Sequence, residues 1–450
     1  MNMDKCNIVR RAEELKAVGA SVLEAAFSLE VVTRVLAGVG KRKRTFDART
    51  TWLTFLGQCL ASDHSCRNAL ALARAAGLVD KETSVHTGGY CTARGRLKEE
   101  PLHRLAAALG AELSEQETAA SRWHRHRVLV ADGSTVSMPD TRQNQAAYPQ
   151  PSAQAEGCGF PVMYFCALMS LGSGALLDFA VGNEADGELT LWRRLWDLLR
   201  PGDIVLGDRA YCSYADIALL RARGVDVVAR LGRRKTDFRK GRLVGVEDHI
   251  VCWTAPKQLP DWLGTQTIPA TLTLREIRFH VEIPGCRVET ITLVTTLLDV
   301  ALYPKEDLAD LFFDRWQIEL RLRDIKTLLG MDILRTKTPD RVRKELWMFL
   351  AAYNLLRTLM YSAAQKAQVS VARISFQGCR QRLLAARILS GPPRIFFSEY
   401  RRLLREVGAD CNPDRPFRVE PRARKRRPKQ YDLLNKPRAV WKREHGVVAA

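Results

Sequence analysis

Two aspartates and one glutamate stand where carboxylates could do chemistry. Asp132 closes the apolar run Val128-Leu-Val-Ala and is followed by Gly-Ser-Thr, and Asp208 closes the run Asp203-Ile-Val-Leu-Gly. Open α/β sheets bind ligands beyond the carboxyl ends of their strands, which is where both would lie. An aspartate after a strand also starts turns and caps helices, so each by itself reads first as local structure. Asp178, Asp186, Glu188 and Asp203 are further acids in the same stretch.

The third acid, Glu319, falls within the helical pattern Asp307–Gly330. At 100° per residue, Leu311, Ile318, Leu322, Ile325 and Leu329 share one narrow stripe, the natural core-facing seam. With Leu311 at zero, Phe312, Arg315, Glu319 and Lys326 fall at roughly 100°, 40°, 80° and 60°, a second stripe beside the first. A carboxylate and two cations along a core edge suit a site that holds metal and phosphate together. The same i,i+4 and i,i+7 spacing describes an amphipathic helix with a solvated face, and periodicity alone favours that reading.

The elements that would position these residues divide the chain into four parts. Residues 1–126 read as helical, with apolar spacing in Thr51-Trp-Leu-Thr-Phe-Leu and Leu102-His-Arg-Leu-Ala-Ala-Ala-Leu. From Arg127 to Arg233, short apolar runs alternate with turns and with two helical patterns, Leu189–Leu199 and Tyr214–Arg223, as in an α/β sheet with parallel neighbours. Residues 234–300 are rich in Thr, Ile and Val with partial two-residue alternation, which predicts a mainly antiparallel insertion. One long helix is then predicted over Lys305–Leu329 and another from Val342 to about Ala364, with residues 366–450 a helical and basic end.

Charge narrows the partner. Lys and Arg number 70 against 50 Asp and Glu, a formal net charge of +20, and residues 401–450 hold 15 of those bases against 6 acids. A balance this basic points to a polyanion, either nucleic acid or an anionic membrane. The uncharged stretch Phe160–Leu177 reaches the lower length for a span, but Leu171-Gly-Ser-Gly interrupts it, and two strands joined by a turn fit better. The N-terminal residues carry no signal-peptide run, so no membrane association is expected. Eleven scattered cysteines without a C-x-x-C pair indicate neither a disulfide framework nor a zinc ribbon, and Cys59, His64 and Cys66 lack recognised zinc spacing. The runs Lys41-Arg42-Lys43-Arg44 and Arg422–Arg427 are candidate phosphate contacts or plain solvated surface.

The pattern Phe312-x-x-Arg315-x-x-x-Glu319-x-x-x-x-x-x-Lys326 resembles the Tyr-Arg-Glu-Lys motif of insertion sequence 4 family DDE transposases. Asp132-Gly-Ser-Thr, Gly207-Asp208-Arg209 and the helix Lys344–Arg357 resemble that family as well, in the same order along the chain. The family's usual tyrosine is Phe312 here, which removes a phenolic donor and keeps an aromatic face. The resemblance implies an RNase-H-like core, a mixed sheet with flanking helices, made of residues 127–233 and 301–365. The β insertion of residues 234–300 interrupts this core, with an N-terminal helical DNA-binding region before it and the basic C-terminal region after it.

By the same resemblance, Asp132, Asp208 and Glu319 form a triad that binds Mg²⁺ or Mn²⁺, with two ions expected. Three carboxylates in one cleft would repel without such cations. The implied reaction is cut-and-paste transposition by cleavage and strand transfer, with Phe312, Arg315, Lys326 and Arg209 at DNA. The implied partners are the element's terminal inverted repeats and target DNA, synapsed by a homodimer in the cytoplasm at the nucleoid. Trp253 and Trp262 lie in the insertion, which resembles the region that in related enzymes supports hairpin formation, and tryptophans are more often core residues than base platforms. Two rival readings stand beside this one: a transposase-derived DNA-binding protein without activity, and a plain metal-dependent nuclease.

Overall fold

A computed structural model describes residues 44–232, 234–281, 289–386, 393–413 and 435–446. Lys41, Arg42, Lys43 and the run Arg422–Arg427 lie outside the described residues, whereas Arg44 is exposed just ahead of the first helix. Four helices come first: α1 (Ala48–Leu60), α2 (Cys66–Ala75), α3 (Gly88–Arg96) and α4 (Glu99–Glu115). Asp47 and Ser65 start α1 and α2 in the ordinary way, each side chain accepting a hydrogen bond from the backbone N–H three residues on.

Among the described residues, nine strands form one sheet in the order β3-β2-β1-β4-β5-β9-β8-β7-β6. The strands β1 (Val128–Ser137), β2 (Val162–Ser170) and β3 (Leu176–Gly182) make an antiparallel meander, and β4 (Ile204–Gly207) and β5 (Asp226–Arg230) lie parallel to β1. This five-strand unit is the expected RNase-H-like core. The uncharged stretch Phe160–Leu177 is thus β2, a turn and the start of β3. No helix among the described residues is long and apolar enough to cross a membrane.

The Thr/Ile/Val-rich stretch supplies β6 (Arg242–Gly245), β7 (Asp248–Thr254), β8 (Thr271–Val281) and β9 (Glu289–Thr295), all antiparallel. It does not stand apart from the core. β9 pairs antiparallel with β5, so the insertion continues the same sheet outward. Trp253 is buried, its indole Nε1 donating to Glu276 at 2.7 Å, while Trp262 is partly exposed beneath the Arg193 guanidinium, 3.6 Å from its ring.

Side chains alternate across the sheet and feed two apolar cores. Val128, Val130, Ile204 and Leu206 join the first, which α1, α4 and the 29-residue α10 (Pro339–Ala367) complete. Leu129, Ala131 and Val205 join the second, covered by α6 (Glu188–Arg193) and α7 (Tyr214–Ala222). The short helix α5 (Arg142–Ala147) follows β1. The middle of helix α10 is buried on nearly all sides, and its Asn354 spans layers, bonding the backbone of Leu176 in β3 through both amide atoms. Helices α11 (Phe376–Ala385), α12 (Pro393–Ala409) and α13 (Arg438–Glu444) end the described chain.

The helix predicted over Lys305–Leu329 is not continuous. It divides into α8 (Lys305–Asp314), α9 (Gln317–Arg323) and a π turn over Asp324–Leu328. At the first break, Arg315, Trp316 and Ile318 donate to carbonyls three residues back, which winds the chain more tightly. In the π turn, Leu329 donates to the carbonyl of Asp324, five residues back, which loosens it. The deviations have opposite sense, and Leu311, Ile318, Leu322, Ile325 and Leu329 all stay buried. Phe312 departs from its predicted stripe: it is packed in the core, and Phe313 and Trp316 are exposed instead.

Candidate active site

Strand pairing sets the two aspartates. β1 and β4 run parallel with Val128 beside Ile204, Leu129 beside Val205 and Val130 beside Leu206. Continued for two residues, that register places Asp132 beside Asp208. By alternation Asp132 shares a face with Val130, the face that α8 and α9 cover through Leu311, Ile318 and Leu322. Glu319 on α9 is therefore brought over β1 just past the last of its pairs with β4, close enough for its charge to act on Asp132. Asp208 caps the single turn Arg209–Tyr211, its Oδ1 accepting from the Arg209 N–H at 2.8 Å, and Arg209 is exposed.

The two cations of the second stripe lie here as well. Arg315 faces Glu319 at 3.6 Å, rests 5.8 Å from the centre of the Phe312 ring and opposes the negative charge around Asp132. Lys326 donates to Ser134 Oγ at 2.8 Å, two residues beyond Asp132, and pairs with Asp332 at 3.6 Å. The chain after the π turn is tied back to β1, because Ser137 N–H donates to Asp332 O and Leu334 N–H to Ser137 O. The break in the helix and its π turn thus set Glu319 and Lys326 against the same strand. Arg44 lies ahead of α1, in the N-terminal helical part of the chain.

One further acid belongs to the group. Glu188 begins α6 on the opposite face, and its Oε1 accepts from the Gly133 N–H at 3.1 Å and from the Tyr211 hydroxyl at 2.5 Å. The other acids of this stretch are engaged elsewhere. Asp178 meets His103 at 2.7 Å, Asp186 accepts from the Asn183 N–H, and Asp203 holds Arg127 through both oxygens. Asp178, Asp186, Glu188 and Asp203 look alike in sequence, and only tertiary partners separate them. A weak signal existed in the Gly187-Glu188 step into the helix after β3.

The electrostatics follow from this crowding. Burial raises the Asp132 carboxyl to about 6, Glu188 and Glu319 push it the same way, and Arg315 pulls against them. Burial, with Cys166 and Glu188 nearby, holds the Tyr211 phenol well above its ordinary value, so it serves Glu188 as a donor. Excess negative charge on hard oxygen donors at a strand end suits a divalent cation of the magnesium kind. No three His, Cys, Asp or Glu side chains among the described residues form a ready-made metal cluster. The carboxylates fit the ion by chemistry, and Asp208 is turned to its own helix cap. His64, by contrast, lies by Gln58, whose carbonyl is 3.2 Å from its Nδ1.

The chain is similar to known transposases over most of its length. Residues 123–355, over half of the chain, match the family model described as Transposase DDE domain. The chain is 29% identical over 361 residues to the transposase InsG for insertion sequence element IS4 of Escherichia coli (strain K12), covering 76% of this chain and 77% of that one. It is 22% identical over 386 residues to the transposase for IS231F of Bacillus thuringiensis subsp. israelensis, covering 75% and 78%. A looser likeness, at a TM-score of 0.43 and 10% identity over 90% of this chain and 88% of the other, is to piggyBac transposase in a cryo-EM synaptic complex with hairpin DNA.

Proposed function

The chain belongs to the transposase DDE-domain family, whose members act on DNA with divalent metal ions, and from that premise we propose cut-and-paste transposition of an insertion sequence. As a DDE transposase it is an enzyme that cleaves DNA and transfers strands. The observation that carries the finer reading is the meeting of Asp132 and Glu319 at the end of the parallel β1–β4 pair, with Asp208 next in register. These three are the proposed catalytic carboxylates, and Mg²⁺ or Mn²⁺, as a pair, are the proposed ions. When bound, such ions activate an attacking oxygen and stabilise the leaving oxygen of an in-line displacement at phosphorus.

The chain's own groups would orient the DNA around that centre. In the first step water attacks phosphorus at the element's end, the bond to the 3′ oxygen breaks, and that oxygen leaves as a hydroxyl. In the second step this hydroxyl attacks a phosphodiester of target DNA, whose own 3′ oxygen departs with the proton. Arg315 can offer two parallel N–H groups to a phosphate and Lys326 a point charge. Phe312, buried beneath Arg315, supports that guanidinium. Arg209 and Arg44, both exposed, are proposed backbone contacts, as are Lys41, Arg42 and Lys43. The N-terminal helical region would recognise the terminal inverted repeats, and two copies would hold two ends in one complex.

The test uses the full-length protein, linear double-stranded DNA carrying the element's two ends, and a circular target. With Mg²⁺ or Mn²⁺, end cleavage followed by joining to the circle is expected. Binding without a nick in either ion would show a DNA-binding protein that has lost activity. Cleavage without joined product would show a plain nuclease.

A further inference from the structure

Gly133 follows Asp132 on β1 and presents its open side to the face that α6 covers. A Cβ placed there would meet Glu188 Cδ at 2.6 Å, Cγ at 2.8 Å and Oε2 at 2.9 Å. The carboxylate of Glu188 therefore occupies the room that a side chain at position 133 would take. Two donors from separate elements fix it there, the Gly133 N–H from the strand and the Tyr211 hydroxyl from the turn after Asp208. Both bond the same oxygen, Oε1, and Oε2 has no hydrogen-bond donor among the described residues. Tyr211 is buried, so its hydroxyl is held in place, whereas Glu188 remains open to solvent at the strand end.

A surface glutamate with no task loses side-chain entropy when held this way. Here two donors fix it beside Asp132, one of them the N–H of the very next residue. A carboxylate with one oxygen anchored and one left free is the arrangement that orients a metal ligand. We propose that Glu188 is a fourth metal-binding carboxylate of this site, seated by Gly133 and aimed by Tyr211. It would reach the ion from the α6 face of the sheet, opposite to Glu319, so the two glutamates bracket the point where β1 parts from β4. Tyr211 is a positioning residue, acting through Glu188. The inference rests on the reading of Asp132 as a metal ligand.

The substitution Glu188→Gln separates charge from shape, since Gln keeps an oxygen for both donors. Mn²⁺ is titrated into the full-length protein without DNA, by calorimetry or by loss of the free-ion paramagnetic resonance signal. Glu188→Gln is expected to weaken Mn²⁺ binding about tenfold or more, and Tyr211→Phe by less, with the metal-free melting temperature of the Gln variant no lower than that of the parent. Glu188→Asp, which keeps the charge on a shorter arm, should recover part of the loss. Unchanged Mn²⁺ affinity in Glu188→Gln would overturn the assignment. Asp132→Asn and Glu319→Gln are titrated alongside. If they lose the ion and Glu188→Gln does not, only the fourth ligand is wrong; if none of the three alters binding, the metal-site reading itself fails.

Discussion

The two ends of the β1–β4 pair use charge in contrary ways. Where the strands begin, Arg127 and Asp203 form a buried ion pair with two bonds, Nε to Oδ1 at 2.9 Å and Nη2 to Oδ2 at 2.6 Å. Where their pairing ends, Asp132 is crowded by Glu188 and Glu319, and Arg315 compensates only in part. The sheet carries the first pattern elsewhere too, as in Arg275 with Asp248, which are fully buried and joined by two bonds. A chain that pairs its acid fully with arginine at one end has left its acids only partly compensated at the other. That contrast is what the proposed metal site would use, since a cation could supply the missing positive charge.

Breaking the acidic end should remove chemistry and spare the fold. Asp132→Ala, Asp208→Ala and Glu319→Ala are each expected to lower end cleavage by about 10³-fold or more, with DNA-end binding retained in a mobility-shift assay. Full cleavage in any one variant would take that residue out of the triad. Breaking the paired end should do the reverse. Arg127→Ala strands Asp203 in the interior and is expected to cost about 3–5 kcal/mol, read as a lower denaturant midpoint. A midpoint equal to the parent's would show that both ends tolerate unbalanced charge.

Two smaller effects sharpen the contrast. The Asp132 carboxyl titrates near 6 when folded, against about 4 when unfolded, so the folded chain holds that proton more tightly. Its contribution to stability therefore falls as pH rises through about 4 to 6, and the full penalty remains above that window. In chelated, metal-free buffer at pH 8, Asp132→Asn should be more stable than the parent, by up to ~2 kcal/mol, and the gain should vanish near pH 4. Equal melting temperatures at both pH values would count against the crowding. Arg315→Ala should weaken assembly on DNA modestly and reduce the slope of log affinity against log salt by about one, if its guanidinium meets a phosphate.

Much of this site could be read along the chain, for reasons that also mark where such reading stops. Asp132 and Asp208 announce themselves because each ends an apolar run, a local signal. The core seam of Leu311, Ile318, Leu322, Ile325 and Leu329 was legible because burial enforces the helical period. The break at Arg315 and the π turn were not, since they arise from docking onto β1 and involve no proline or glycine before Gly330. Phe312, read at the edge of that seam, packs into the core beneath Arg315. The pairing of β9 with β5 joins strands distant in sequence, and no local pattern specifies it. Choosing Glu188 among four acids required Tyr211 and Gly133, which meet it only once the sheet is built.

The register of β1 and β4 also works as a measuring rule. Arg127 precedes Asp132 by the same five positions that separate Asp203 from Asp208. In extended strands that interval is about 16 Å on both sides. The ion pair is thus a clasp at the zero mark, and it fixes how far each aspartate reaches at the other end. A slip of one residue in either strand would reverse the facing of its side chains and pull the two acids out of step, even with the apolar core refilled. The clasp lies outside the proposed site, yet it sets the gauge to which the acidic end is cut.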